Sequence, residues 1–292
     1  MSGGAGVQVA PAGTAGHGAL WHDVLARLLE VPELPSVTER VQEVLFDAVA
    51  DAETAARWIG QDPDLARGIL AVARRWPGAP AGLASLPRAI EVLGRMEVQK
   101  LTLAIPIHRI VRTWHPSPNI DLPRLWRHSL AVATCAEYLS RTLATGNALE
   151  AFSAGLLHDL GKAIIDRCVG PRFEAATGPG GWSALRTWER AVIGSTHAEI
   201  GAVLATRWRM VPEVAEAIRL HHATGRMAGG PATRWTRAIL VTADRLAHLF
   251  GVHGVAGDPR PSSSELSWIH VGTVAHRIRN ALERTAEVFA FD

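Results

Sequence analysis

The chain predicts an all-α protein, on three observations. Ala, Leu, Arg and Glu, all good helix formers, dominate a sequence of 292 residues that is 48% hydrophobic. Apolar residues recur at helical spacing along most of it, whereas the alternation that marks strands is scarce. Proline and glycine punctuate the periodic runs and so set helix starts and stops. Length and apolar content suffice to bury a sizeable core, as one large domain or two smaller ones.

Residues 1–19 are rich in Gly and Ala and read as a disordered tail without the basic and apolar regions of a signal peptide. From Leu20 to Val111, breakers at Leu34-Pro35, Asp62-Pro63, Trp76-Pro77 through Pro80, and Leu86-Pro87 divide the chain into about five helices. In DPDLARGILAVARRW, Leu65, Ile69, Leu70 and Val72 share one face; in PRAIEVLG, Ala89, Ile90 and Leu93 precede a glycine stop. These helices form an amino-terminal subdomain over 20–113. The run His115-Pro116-Ser117-Pro118-Asn119 is a hinge or tight linker between two halves.

A second helical subdomain follows over 120–250. One long helix spans Leu122 to Leu143, with Leu125, Ser129, Val132, Ala136 and Leu139 along its core face. Residues 151–168, AFSAGLLHDLGKAIIDRC, place His158-Asp159 inside an apolar run. Thr196 and Glu199 form a capping box that makes His197 the first residue of a helix. Another helix starts at Pro212 and ends at His221-His222 before Gly225. Loops rich in Gly, Pro or Ser cover 170–183 and 254–266, and an amphipathic helix over about 267–289 closes the chain. Its apolar stripe, Val271, Val274, Ile278, Ala281 and Leu282, packs on its own domain or makes a homodimer.

Formal charge is +2 with acidic and basic residues interleaved, so nothing marks a nucleic-acid or membrane-binding face. Two cysteines, Cys135 and Cys168, make no disulfide framework and fit a reducing cytoplasm.

The chemistry-bearing residues centre on His158-Asp159. A buried imidazole and carboxylate side by side are costly unless something satisfies them, and a bound cation would satisfy both. Otherwise the helix ends at Leu157 and the pair faces solvent. His128 lies beside the core stripe of the long helix, and Asp244 lies in an apolar helix among Val241, Ala243, Leu246 and Ala247. His197 is otherwise an exposed helix start, and His221-His222 an imidazole pair favoured at a helix C-terminus. His108, His248, His253, His270 and His276 read as structural or exposed. Lys162, one of two lysines in the chain, sits one turn beyond the His-Asp pair.

In order these residues give H, HD, H, HH and D, a set that resembles the HD superfamily of metal-dependent phosphohydrolases. The runs ELPSV (33–37), IGQDPDLARGIL (59–70) and SLPRAIEVLGRMEV (85–98), followed by LWRHS, AGLLHDLGK, THAEIGAVLATRW and AIRLHH, resemble the HDOD family, the HD-related output domain of bacterial signalling proteins. Ala73-Arg74 departs from that family's usual Ala-Asn. The superfamily pattern implies one divalent ion (Mn, Fe or Zn) on His128, His158, Asp159 and Asp244. It also implies a second ion on His197, His221 and His222, with Asp159 as bridge. Asp159 and Lys162 are then the catalytic candidates, Lys162 steadying phosphate charge or protonating a leaving oxygen. HDOD members are commonly regarded as regulatory, with degenerate HD chemistry. ATGRMAGG after His222 lacks the carboxylate and GYP segment of HD-GYP cyclic-di-GMP phosphodiesterases, which argues against that substrate.

Three functions follow as expectations. One is a regulatory module that binds a signalling protein or nucleotide. Another is a metal-dependent hydrolase of a nucleotide or phosphodiester. The last is a sensor in which metal or nucleotide shifts the halves about residues 114–120.

Overall fold

The computed structural model describes residues 20–47, 50–114, 117–170, 181–223, 229–254, 271–285 and 288–290, and among them it has fourteen helices and no strand. The expected tail at 1–19, and most of the expected loops at 170–183 and 254–266, lie outside the described residues.

Six helices precede the linker: α1 (Trp21–Glu30), α2 (Ser36–Phe46), α3 (Ala52–Ile59), α4 (Pro63–Arg74), α5 (Leu86–Leu93) and α6 (Arg95–Arg112). Their ends follow from local chemistry. The Asp62 carboxylate accepts the backbone N–H of Asp64 and of Leu65, each at 3.1 Å, and Pro63 takes the first helical position, where its missing N–H costs nothing. Gly94, at φ 78°, separates α5 from α6 by a single residue. Helix α6 is buried nearly all round from Val98 to Val111 and packs on α2, α4 and α5 on one side and on α8 on the other. It therefore joins the two halves.

The second half contains α7 (Leu122–Thr142), α8 (Ala148–Leu157), α9 (Leu160–Val169), α10 (Gly181–Val192), α11 (His197–Arg207), α12 (Pro212–Leu220), α13 (Pro231–Leu249) and, last, α14 (Val271–Thr285). Helices α7 and α8 pack closely, because Gly155 has no side chain: a Cβ there would stand 2.6 Å from Ala133 Cα. Helix α13 packs on α7 and α12, α11 on α9 and α12, and α1 on α9. Val274 and Ile278 of α14 are buried, and that helix packs on α7.

The linker is tied down where it is described. Asp166 on α9, fully buried, accepts Ser117 Oγ, Asn119 Nδ2 at 2.6 Å, and the backbone N–H groups of Asn119 and Ile120 at 3.2 and 3.3 Å. His115 and Pro116 lie outside the described residues. No helix among the described residues is long and apolar enough to cross a membrane.

Candidate metal centre

Helix α8 ends at Leu157 and α9 begins at Leu160, so His158 and Asp159 form the corner between them. The corner does not face solvent: His158 is 1% and Asp159 2% exposed, which removes the plain helix-end reading of the pair. Asp159 occupies the N-cap position of α9, yet its carboxylate makes no capping hydrogen bond and is directed elsewhere. Gly161 makes the corner possible, since a Cβ there would collide with the His197 carbonyl at the start of α11. The expected capping box at Thr196 and Glu199 is present and sets His197 as the first residue of α11.

These elements bring all seven expected ligands and Lys162 into one cluster. His158 Nε2 lies 3.4 Å and His128 Nε2 3.7 Å from Asp159 Oδ2; His197 Nε2 and His221 Nε2 lie 3.7 and 3.9 Å from Oδ1. His222 Nε2 is 3.1 Å from His197 Nε2. Asp244 Oδ1 is 3.2 Å from His128 Nε2 and 3.8 Å from His158 Nε2. Lys162, 0% exposed, donates to Asp159 Oδ2 at 2.6 Å.

The rings are held from behind. His128 Nδ1 donates to Val252 O at 2.9 Å, His158 Nδ1 to Gly155 O at 2.8 Å, and His221 Nδ1 to Ile218 O at 2.6 Å. A neutral imidazole that donates through Nδ1 presents a bare lone pair at Nε2. Those three Nε2 atoms, with Asp159 Oδ1 and Asp244 Oδ1, are buried and have no hydrogen-bond partner. Lone pairs turned on carboxylate oxygens repel unless a cation or proton lies between them.

The fit to a metal is good. Ligand atoms about 2.0–2.2 Å from an ion stand roughly 2.8–3.6 Å from one another in octahedral or tetrahedral shells. The 3.1, 3.2 and 3.4 Å separations fall in that range, and those at 3.7–3.9 Å are a few tenths of an ångström wider, a gap that a small inward shift of the side chains onto an ion closes. Electrostatics agree. Burial alone would raise the Asp159 carboxyl, but His158 and Lys162 hold it well below the usual range. Despite burial, the His128 and His248 rings do the same for Asp244. Burial and the neighbouring imidazoles push His221 down to about 3 and lower His222 as well. Burial opposes charge on His158 too, yet Asp159 beside it raises its pKa.

Two members of the site were not legible in the motif. Glu189 on α10 is fully buried; its Oε1 and Oε2 accept from His197 Nδ1 at 2.8 and 2.9 Å, and Oε2 accepts the His197 N–H at 3.1 Å. Its one signal is position, because Leu185, Glu189 and Ile193 fall at four-residue spacing and are all buried. His248, read from sequence as structural or exposed, is buried with Nε2 3.1 Å from Asp244 Oδ1. The spacing of four from Asp244 on one helix was its signal.

Comparison with known proteins gives the family. The HDOD domain model matches residues 31–224. The chain belongs to the HDOD family. Among solved structures, an HDOD domain protein of unknown function from Geobacter sulfurreducens superposes with a TM-score of 0.68 at 22% identity, covering 94% of this chain and 97% of that one. A protein provisionally described as a phosphohydrolase, from Shewanella amazonensis SB2B, gives the same TM-score at 21% identity, covering 94% of this chain and 99% of its own. At those identities the likeness shows the fold alone. An uncharacterised Treponema pallidum protein is 24% identical over 205 residues, 67% of this chain but only 38% of that relative, so this HDOD chain spans well under half of its length.

Proposed function

We propose that this HDOD protein is a bacterial signalling component whose HD centre holds one or two divalent ions and that it acts by binding a partner protein or a nucleotide. The observation that carries the metal is the convergence of bare Nε2 atoms of His128, His158 and His221 on Asp159 and Asp244. Imidazole and carboxylate without thiolate suit Mn, Fe or Zn. Cys135 is buried in the core, and Cys168 lies near Asp23 on α1. Elemental analysis of protein purified without chelator tests this: stoichiometric Mn, Fe or Zn is expected. Protein that carries none, and takes up none when each is supplied, removes the metal from the function.

A second reading, metal-dependent hydrolysis of a nucleotide or phosphodiester, is favoured by Asp159. Its Oδ1 faces His197 and His221 while its Oδ2 faces His128 and His158, the disposition of a carboxylate shared by two ions. Bound ions would supply Lewis acidity and a water acidic enough to ionise near neutrality. Lys162 fixes the orientation and charge of Asp159 from within the protein. His222 and Asp244 are the less buried ligands, so a phosphoryl group would approach from their edge. A hydrolysis screen of nucleotides and phosphodiesters with the metal found in the protein divides this reading from the binding one, with Asp159→Ala as the inactive control.

A further inference from the structure

We infer that His248 is a further ligand of the centre, binding with His128 and Asp244 a borderline divalent cation such as zinc or ferrous iron, outside the H, HD, H, HH and D set. The inference rests on the metal-centre reading above. Asp244 and His248 are one helical turn apart on α13, and their side chains converge: His248 Nε2 lies 3.1 Å from Asp244 Oδ1. Across from them on α7, His128 Nε2 lies 3.2 Å from the same oxygen. The His128 and His248 rings stand 4.8 Å apart between centroids and are tilted by 36°. One carboxylate oxygen thus has imidazole nitrogens at 3.1 and 3.2 Å, and it makes no aligned hydrogen bond with either. Those separations fall within the roughly 2.8–3.6 Å expected between ligands of one ion.

The surroundings prepare His248 for this role. His248 is 4% exposed, and its Nδ1 is 3.1 Å from His253 Nδ1 in the turn that follows α13. Coordination requires the tautomer in which His248 Nδ1 donates to His253, leaving the Nε2 lone pair for the cation. The same turn supplies Val252 O, which fixes His128. A single turn therefore orients both imidazoles. His128 has one Nε2 lone pair, so the group with His248 and the group with His158 and Asp159 share one ion and do not hold two. With His248 added, that ion has up to five protein ligands, and with all five bound one place of an octahedral shell stays open to an exogenous oxygen.

The competing role for His248 is a hydrogen-bond donor that only positions Asp244. Chelator-stripped protein titrated with Co2+, read by its visible absorption and by competition for affinity, separates the two. Both His248→Ala and His248→Gln are expected to weaken Co2+ binding at least tenfold and to change the spectrum, because glutamine keeps a donor but supplies no imidazole. If His248→Gln shows the parental affinity and spectrum, His248 is a positioning residue and the inference is overturned; the same holds if both variants match the parent. Parent protein that binds no Co2+ overturns the metal-centre reading itself, which is a different result from unchanged variants of a binding parent. Helical circular dichroism checks each variant, and should His248→Ala fail to fold, the glutamine variant decides.

Discussion

Glu189 Oε1 accepts from His197 Nδ1 at 2.8 Å, and neither side chain is exposed to solvent. A buried carboxylate behind an imidazole fixes its tautomer and makes Nε2 a better donor to a metal. Glu189→Gln should therefore lower metal affinity about 10- to 100-fold while the protein stays folded. Competition with a chelator of known affinity measures it, and parental affinity in the variant would show that Glu189 only shapes the start of α11.

Gly161 is the point of contact between α9 and α11. Alanine gains about 1 kcal/mol of helix propensity there, but its Cβ meets the His197 carbonyl, and overpacking of this kind costs about 1–3 kcal/mol. Gly161→Ala should be net destabilising in urea and should lose metal, since the displacement separates His197 from Asp159. Gain of stability with metal retained would show that the α9–α11 contact is loose.

Asp166 ties the linker to α9, the helix that begins at Leu160. Removing a fully buried carboxylate that accepts from Ser117, Asn119 and Ile120 leaves several donors without their partner, at about 1–3 kcal/mol for each one that stays buried. Asp166→Ala should lower the urea midpoint and open the chain to protease near residues 114–120. Unaltered proteolysis would mean that packing of α6 on α8 suffices to hold the linker.

Acid should destabilise the protein through His108, whose ring packs against those of Trp126 and Phe289. Burial, helped by Arg112, lowers its pKa from 6.5 to about 3. Between those values the unfolded chain binds a proton that the folded chain does not, so stability falls as pH drops through that window, by about 1.4 kcal/mol per unit. Urea unfolding of chelator-treated protein at pH 7.0 and 5.5 measures the slope, and His108→Gln should flatten it. An equal slope in the variant would place the acid sensitivity elsewhere; His221, lowered to about 3 as well, acts in the same direction.

The sequence by itself determined the helices and most of the ligand set, because both are written in local signals. Pro63, Pro212, Gly94 and the Thr196–Glu199 box specify helix ends within a few residues, and apolar spacing marks the buried stripe of α7. The ordered His and Asp motifs named His128, His158, Asp159, His197, His221, His222 and Asp244. Whether those residues meet was not local information: α7, the corner between α8 and α9, the start of α11, the turn after α12 and α13 carry them, and only the packing of α8 on α7 and α11 on α9, at Gly155 and Gly161, turns them inward. Burial of the His158-Asp159 corner followed from that packing. Glu189 and His248 were decided by the tertiary structure alone. A glutamate on an amphipathic helix and a histidine one turn from an aspartate read in sequence like surface residues, until a helix from elsewhere in the chain removes their water and leaves each facing a ligand of the site.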